Sequence, residues 1–357
     1  MKKKIKVSFP RFGNYNVAVE VLVKVGLECD YLVTPPSTKK TLELGTKYSP
    51  DFVCSPFKHQ LGCYIEAIEA GADVLIQVGG PCRLGYYGEL HEQILKDLGY
   101  KVEFVNMAGA DYSKPLTFYN EFKKINPNLN LKKVTEGLLL AVKVVKVIDE
   151  VEDYIRQNVG FEIEEGSFDK IQKEFLNELR TVANKKELKN TYKKYMHRLK
   201  EIELNKPEHP LKVGFIGEYY TVMDPDSNHY MEKELAKKGI VIKRWMSLTN
   251  SFFNSPVKEI KKSIKDYAKY DMGATAMYTI MTALDYAKNH YDGIIHVKSA
   301  GCTPEIDAMP VLQKISEDYK IPIIYFSFDS QTSDVGINTR IEAFYDMMMM
   351  RKEHKKK

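Results

Sequence analysis

No run of the 357 residues is apolar and long enough to span a bilayer. The first lysines are followed by "IKVSFP" and at once by "RFGNYN", so no signal-peptide hydrophobic region follows them. These absences predict a cytoplasmic protein. A strong charge of one sign is also missing. The net charge is +5, and much of it sits in "MKKKIK" and "RKEHKKK" at the two ends, which read as solvated tails. A nucleic-acid or membrane surface needs basic residues gathered on a folded face, so neither partner is expected. Cysteine is scarce: Cys29, Cys54, Cys63, Cys82 and Cys302 are odd in number and widely spaced. That spacing argues against a disulfide framework. No CxxC pair is present, so zinc ribbons and thioredoxin-type redox pairs are excluded, and so is tight ferredoxin spacing.

What the chain does contain is an alternation of two periods. "IKVSF", "ECDYLV", "DFVCSP", "DVLIQVGG" and "KVEFVNM" read as short buried strands. "NVAVEVLVKVG", "KKTLELGTKY", "FKHQLGCYIEAIEAG" and "YYGELHEQILKDLG" read as the helices between them, two of them closed by Gly26 and Gly71. Short connections between alternating strands and helices predict a parallel sheet covered on both faces. From about residue 113 the strands stop. Leu138, Val142, Val145, Ile148, Val151 and Ile155 mark one helical face, and Phe168, Ile171, Phe175, Leu179 and Val182 mark another. The breaker "NKPEHP", Asn205 to Pro210, ends this stretch. The α/β rhythm then returns with "LKVGFIGEYY", "IVIKRW", "DGIIHVKS" and "PIIYFSFD" as strands. The expectation is an N-terminal α/β domain over 1–112, a helical segment over 113–207 and a C-terminal α/β domain over 208–357.

Three cysteines share one expected position. Cys54 follows "DFV", Cys82 follows "DVLIQVGGP" and Cys302 follows "DGIIHVKSAG", each at the carboxyl end of an expected strand and just before a helix. Open α/β sheets carry their functional crevice at those ends. A helix N-terminus also favours a thiolate. Gly79, Gly80 and Gly301 permit the turns, and Pro56, Pro81 and Pro304 stiffen them. Each thiol alone could be inert filler, a nucleophile or a metal ligand. Three together from two domains suit a cluster, and three thiolates would leave one iron of a [4Fe–4S] cluster open. Cys29, inside an expected strand, reads as core. Cys63 reads as core or as an extra ligand. Secondary candidates are Gln331 and Thr332 for an anion, Arg83 for cluster charge or a phosphate, and Glu305 as a helix N-terminal charge. Lys58 and His59 would tune a thiolate or move protons, and Tyr219, Tyr220 and Asp224 would line a cleft.

The stretches "FVCSPFKHQLGCYIEAIEAGADVLIQVGGPCRLGYYGELHEQIL" and "YDGIIHVKSAGCTPEIDAMPVLQKISEDYKIPIIYFSFDSQTSDVGINTRIEAF" resemble the 2-hydroxyacyl-CoA dehydratase superfamily, in particular its activase-related branch. The resemblance extends over nearly the whole chain. It implies two flavodoxin-like parallel-sheet domains with a helical segment between them, and an oxygen-sensitive [4Fe–4S] cluster in an interdomain cleft. The cysteine motifs of the family fall on Cys54, Cys82 and Cys302, and not on Cys29 or Cys63. In the dehydratases a separate ATP-dependent activator injects one low-potential electron. The thioester of a 2-hydroxyacyl-CoA is reduced, its hydroxyl leaves, and the electron is recycled. The implied partners are therefore that activator, an acyl-CoA substrate, and a related second subunit or a second copy of the chain. The activator's own phosphate-binding motifs are absent, so this chain is not expected to hydrolyse ATP. The alternatives are a non-catalytic electron-transfer or cluster-holding partner, and a double-cubane-type reductase of small molecules. Five cysteines are few for a double cubane. A solute-binding module with two α/β domains is a further alternative, against which the strand-end thiols count.

Overall fold

A computed structural model of the chain describes residues 4–80, 82–107, 115–273 and 275–356. Pro81 and the domain boundary expected near residue 112 lie outside the described residues. The chain divides into two compact units. Unit 1 is Met1–Ile148 with Ile171–His197, and unit 2 is Asp149–Lys170 with Arg198–Lys357.

Unit 1 holds four parallel strands, β1 (Lys6–Ser8), β2 (Asp30–Tyr31), β3 (Val74–Gln77) and β4 (Glu103–Asn106). Their order is β2-β1-β3-β4. The helices between them are α1 (Asn16–Val21), α2 (Lys39–Tyr48), α3 (Ser55–Glu69) and α4 (Leu84–Asp97). Side chains of a strand alternate between faces. Val74, Ile76 and Val105 therefore pack on one side with Val23, Leu27 and Phe122. Leu75 and Phe104 pack on the other with Phe57, Leu61, Leu84 and Leu95. Both faces are buried, which is why these strands read as short apolar runs.

"DFVCSP" is not a strand. Residues 49–54 only reverse the chain between α2 and α3, and Cys54 is the N-cap of α3. The reason lies in two glycines. A Cβ on Gly45 would fall 1.7 Å from the carbonyl oxygen of Lys58, and one on Gly62 would fall 2.0 Å from that of Thr41. The two helices touch backbone to backbone, and the segment joining them has no strand to pair with. A Thr38–Thr41 capping box opens α2, and a proline in the first turn opens α3.

The helical stretch is seen as α5 (Pro115–Ile125), α6 (Leu131–Asn158), α7 (Ser167–Leu179) and α8 (Lys185–Lys200). The buried line of α6 runs through Val134, Ala141, Val144, Ile148, Val151 and Ile155. Its residues up to 148 belong to unit 1 and those from 149 to unit 2. In unit 1, Arg180 and Lys24 both pair with the buried carboxylate of Glu20 on α1. In unit 2, Arg244 is buried and pairs with Glu152 of α6 at 3.3 Å and with Glu232 at 3.3 Å.

Unit 2 repeats the sheet of unit 1 with longer strands, β5 (Leu211–Gly217), β6 (Ile240–Lys243), β7 (Gly293–Ser299) and β8 (Ile323–Phe328), all parallel in the order β6-β5-β7-β8. Its helices are α9 (Tyr219–Met223), α10 (Met231–Ala236), α11 (Val257–Ser263), α12 (Ala276–Lys288), α13 (Thr303–Tyr319) and α14 (Asp334–Lys356). Pro310 sits inside α13 without ending it. Each unit thus has the flavodoxin-like order in which the strand sequence reverses between the first and third strands. The chain is α/β with two parallel sheets. Among the described residues no helix is long and apolar enough to cross a membrane.

Candidate functional site

The turns that leave the carboxyl ends of β3 and β7 are the equivalent places in the two sheets, beside the reversal of strand order. Cys302 stands on the second turn as the N-cap of α13, and Cys82 stands on the first, one residue before Arg83, the N-cap of α4. In unit 1 the Cys82 turn is tied to α4 by a hydrogen bond from Gly85 N to the Cys82 carbonyl, 3.0 Å. Cys54 reaches the same place from the α2–α3 reversal. Its Sγ lies 3.0 Å from the Tyr87 hydroxyl on α4. Burial raises the pKa of Tyr87, and the charges of Cys54 and Cys82 raise it further. The phenol therefore stays protonated and can donate to sulfur. Tyr87 is the group that brings these two half-buried thiols into one environment.

Beneath them the packing is aromatic. Phe57 meets Tyr87 edge-on at 4.7 Å and stacks on His91 at 4.0 Å. His91 is fully buried with its Nε2 3.1 Å from the Phe57 carbonyl, and burial pushes its pKa down to about 4. At the end of β3, Gln77 accepts from the Tyr64 hydroxyl at 2.5 Å and donates to Gln60 at 3.3 Å. This strand end is polar and uncharged.

The end of β7 is different. Strand alternation puts His296 and Lys298 on one face, and both are buried. Glu305, in the first turn of α13, is wholly buried beside them. Its Oε2 is 2.7 Å from His296 Nε2, and its Oε1 accepts from Thr275 at 2.5 Å and Thr279 at 3.1 Å. Glu218, at the end of β5, caps α9 by accepting from the backbone N–H of Tyr220 and Thr221 and from the Thr221 hydroxyl. Burial raises its pKa, and the charge of Glu305 adds to this. Burial lowers the pKa of Lys298, while Cys302 and Glu305 oppose that shift. Four ionisable groups therefore gather under the turn that carries Cys302.

Residues 144–348 match the family model of the 2-hydroxyglutaryl-CoA dehydratase D-component, over more than half of the chain. The chain belongs to this dehydratase family. No curated protein matches it. The expected resemblance ran over nearly the whole chain, whereas the family match begins in α6 and ends in α14. It includes Cys302, His296, Lys298 and Glu305, and leaves Cys54 and Cys82 outside.

The donor chemistry of the three thiols suits an iron–sulfur group: all five cysteines are thiols, and Cys54, Cys82 and Cys302 are the half-buried ones. Among the described residues, no three His, Cys, Asp or Glu side chains gather into a metal-holding group. Cys54 and Cys82 share Tyr87 in unit 1, and Cys302 belongs to unit 2. Cys29 and Cys63 are core residues. Of the secondary candidates, Lys58 is half-buried, Arg83 is exposed, and His59, Tyr219, Tyr220 and Asp224 are buried. Gln331 N and the Thr332 hydroxyl both donate to Asp329 in a self-contained turn. Glu305 lies in the first turn of α13 as expected, and its side chain faces inward. Sequence reasoning missed His296, Lys298, Glu218 and Tyr87. The signal for the first two was present: "GIIHVKS" places two ionisable residues two apart in a strand with no polar face.

Proposed function

We propose that the chain is a cluster-bearing component of a 2-hydroxyacyl-CoA dehydratase-type system, with Cys54, Cys82 and Cys302 as thiolate ligands of a [4Fe–4S] cluster. One observation carries the reading: in a chain of this family, Cys82 and Cys302 stand at the same topological place in two sheets of one design, each at a helix start. When bound, such a cluster supplies a low-potential electron and an iron with an open coordination position. The chain's own residues do the rest. The N-termini of α3 and α13 favour the thiolate forms of Cys54 and Cys302. Tyr87 donates a hydrogen bond to the Cys54 sulfur, and Lys298 sets a buried positive charge near Cys302. A separate ATP-dependent activator is the electron donor, a 2-hydroxyacyl-CoA is the substrate, and a related subunit or second copy completes the assembly.

The test is anaerobic purification with iron and sulfide counts and EPR. The expected result is about four irons per chain, lost when Cys54, Cys82 or Cys302 is changed to Ser. A colourless, iron-free protein under strict anaerobiosis overturns the reading. Turnover of 2-hydroxyglutaryl-CoA with activator or dithionite then separates an enzyme from an electron-transfer partner.

A further inference from the structure

A second chemical group stands on the rim of the second sheet, outside the cysteines. The loop after α9 is built on three buried residues. Ser227 N donates to Asp224 Oδ1 at 2.9 Å, and Asn228 Nδ2 donates to the Thr221 carbonyl at 2.8 Å. On this base the next two residues, His229 and Tyr230, both take a left-handed φ of 55°. Side chains other than glycine resist that conformation, and two in succession persist only where the surroundings enforce them.

The consequence is the placement of one imidazole. The His229 ring lies flat over Phe328, the last residue of β8, with centroids 5.5 Å apart and planes 20° from parallel. Its Nδ1 is 2.5 Å from Asp334 Oδ1 at the start of α14. Its Nε2 hydrogen-bonds to none of the described residues. Phe328 in turn accepts a hydrogen bond from Ala300 N at 2.9 Å, two residues before Cys302. The imidazole therefore rests on the strand end that abuts the Cys302 turn. His296, on the same sheet, is sealed against Glu305 and cannot meet a substrate. His229 keeps part of its side chain exposed, with one nitrogen held by a carboxylate and the other available. That is the arrangement of an oriented acid–base residue.

We propose that His229, oriented by Asp334, is the group that exchanges protons with the substrate at this rim. The assignment rests on the dehydratase reading. Net dehydration of a 2-hydroxyacyl thioester breaks the C2–O and C3–H bonds and forms a C2–C3 double bond and water. The imidazolium gives its proton to the departing hydroxyl, which leaves as water. The neutral imidazole then takes the C3 proton, and the C3–H electron pair enters the double bond. His229 ends as it began, and any electron added at the start is returned, so no net oxidation or reduction remains. Asp334 holds the ring in place through Nδ1.

Two measurements on the full chain test this separately from the cluster. The first maps carbethoxylation by diethyl pyrocarbonate with and without 2-hydroxyglutaryl-CoA. The thioester should slow modification of His229 several-fold and leave exposed His209 unchanged. The second compares His229→Asn, chosen because Asn accepts a left-handed backbone, with Asp334→Asn and a His209→Gln control. His229→Asn should lose turnover about 100-fold or more while iron content and the EPR signal stay as in the unaltered protein. Asp334→Asn should lose less, and added imidazole should restore part of the activity of His229→Gly. Equal modification of His229 with and without thioester, or unaltered turnover in His229→Asn, overturns the proposal. An iron-free protein whose His229 is still shielded by the thioester would sink the cluster reading and leave His229 at the substrate site.

Discussion

The two sheets share one strand order, yet the groups at their equivalent strand ends are of different kinds. Under Cys82 the polar groups are two amides and two phenols: Gln77, Gln60, Tyr64 and Tyr87. Under Cys302 they are of ionisable type: Glu218, Glu305, His296 and Lys298. The fold alone does not dictate this, since a flavodoxin-like crevice accepts either set. What the difference teaches is a division of labour. Unit 1 offers thiols in an uncharged, aromatic setting. Unit 2 combines its thiol with buried charge and, at the rim, with the His229–Asp334 pair. The proposed proton exchange at His229 would belong to the second sheet.

The largest effect that would break this comparison comes from Glu305. Changing it to Ala leaves His296 Nε2 and the Thr275 hydroxyl buried without their partner, and leaves the Thr279 hydroxyl only the Gly217 carbonyl at 3.4 Å. Each buried polar group that loses its partner costs about 1–3 kcal/mol, and this one change strips several. Gln77→Ala in unit 1 removes a neutral partner and is expected to cost about 1–3 kcal/mol. Trp245, the single tryptophan, belongs to unit 2 and reports its urea unfolding by fluorescence. Far-UV circular dichroism follows both units. Equal losses for the two variants would show that the charged set carries no special weight.

Acid should separate the units with opposite signs. His91 is held neutral by burial, with its folded pKa pushed down to about 4. Below the unfolded value near 6.5 the unfolded chain takes up a proton that the folded one refuses. Unit 1 therefore loses stability as pH falls from about 6.5 to about 4, by roughly 3 kcal/mol in all. Glu218 is shifted the other way, so its folded form holds a proton that the unfolded chain has released. Its contribution is fully present below the usual glutamate pKa and is lost as pH rises through the raised one. Urea-dependent proteolysis at pH 7 and pH 4.5, with peptides assigned to each unit, should show unit 1 opening first in acid. His91→Phe keeps a ring against Phe57 and should remove that acid sensitivity from unit 1. Unchanged acid sensitivity in this variant would move the cause elsewhere.

The sheets and most helices were legible in the sequence because fully buried strands are short apolar runs. "DVLIQV" and "GIIHV" announce themselves in this way. "DFVC" was not legible, because a short apolar run looks the same whether it pairs or merely reverses. What decides the matter is the contact of Gly45 with Lys58 and of Gly62 with Thr41, which composition does not reveal. Gly45→Ala tests that reading. The added methyl has no room, so a loss of about 1–3 kcal/mol is expected in unit 1. Gly301→Ala, where nothing lies within 4 Å of the new Cβ, should be close to neutral in unit 2. The placement of Cys82 and Cys302 after strand ends was readable from the sequence. Tyr87, Glu218 and His229 were not, since their roles arise from tertiary contacts with Cys54, α9 and Asp334.

The smallest effect, and the most local, concerns Tyr87. Its hydroxyl lies against Cys54 while its ring packs on the edge of Phe57. Tyr87→Phe keeps the ring and removes only the O–H. The expected loss is about 1 kcal/mol, the usual net worth of one hydrogen bond, read as a shift in urea midpoint without a change in slope. A second readout separates packing from the thiol environment. Iodoacetamide labelling of the metal-free chain should change at Cys54, whose neighbour is lost, and stay constant at Cys302, whose neighbours are Lys298 and Glu305. If labelling shifts equally at both cysteines, Tyr87 acts on the chain as a whole and is no special partner of Cys54. If only Cys54 responds, the uncharged sheet end tunes its sulfur with a phenol where the charged one uses a lysine and a carboxylate.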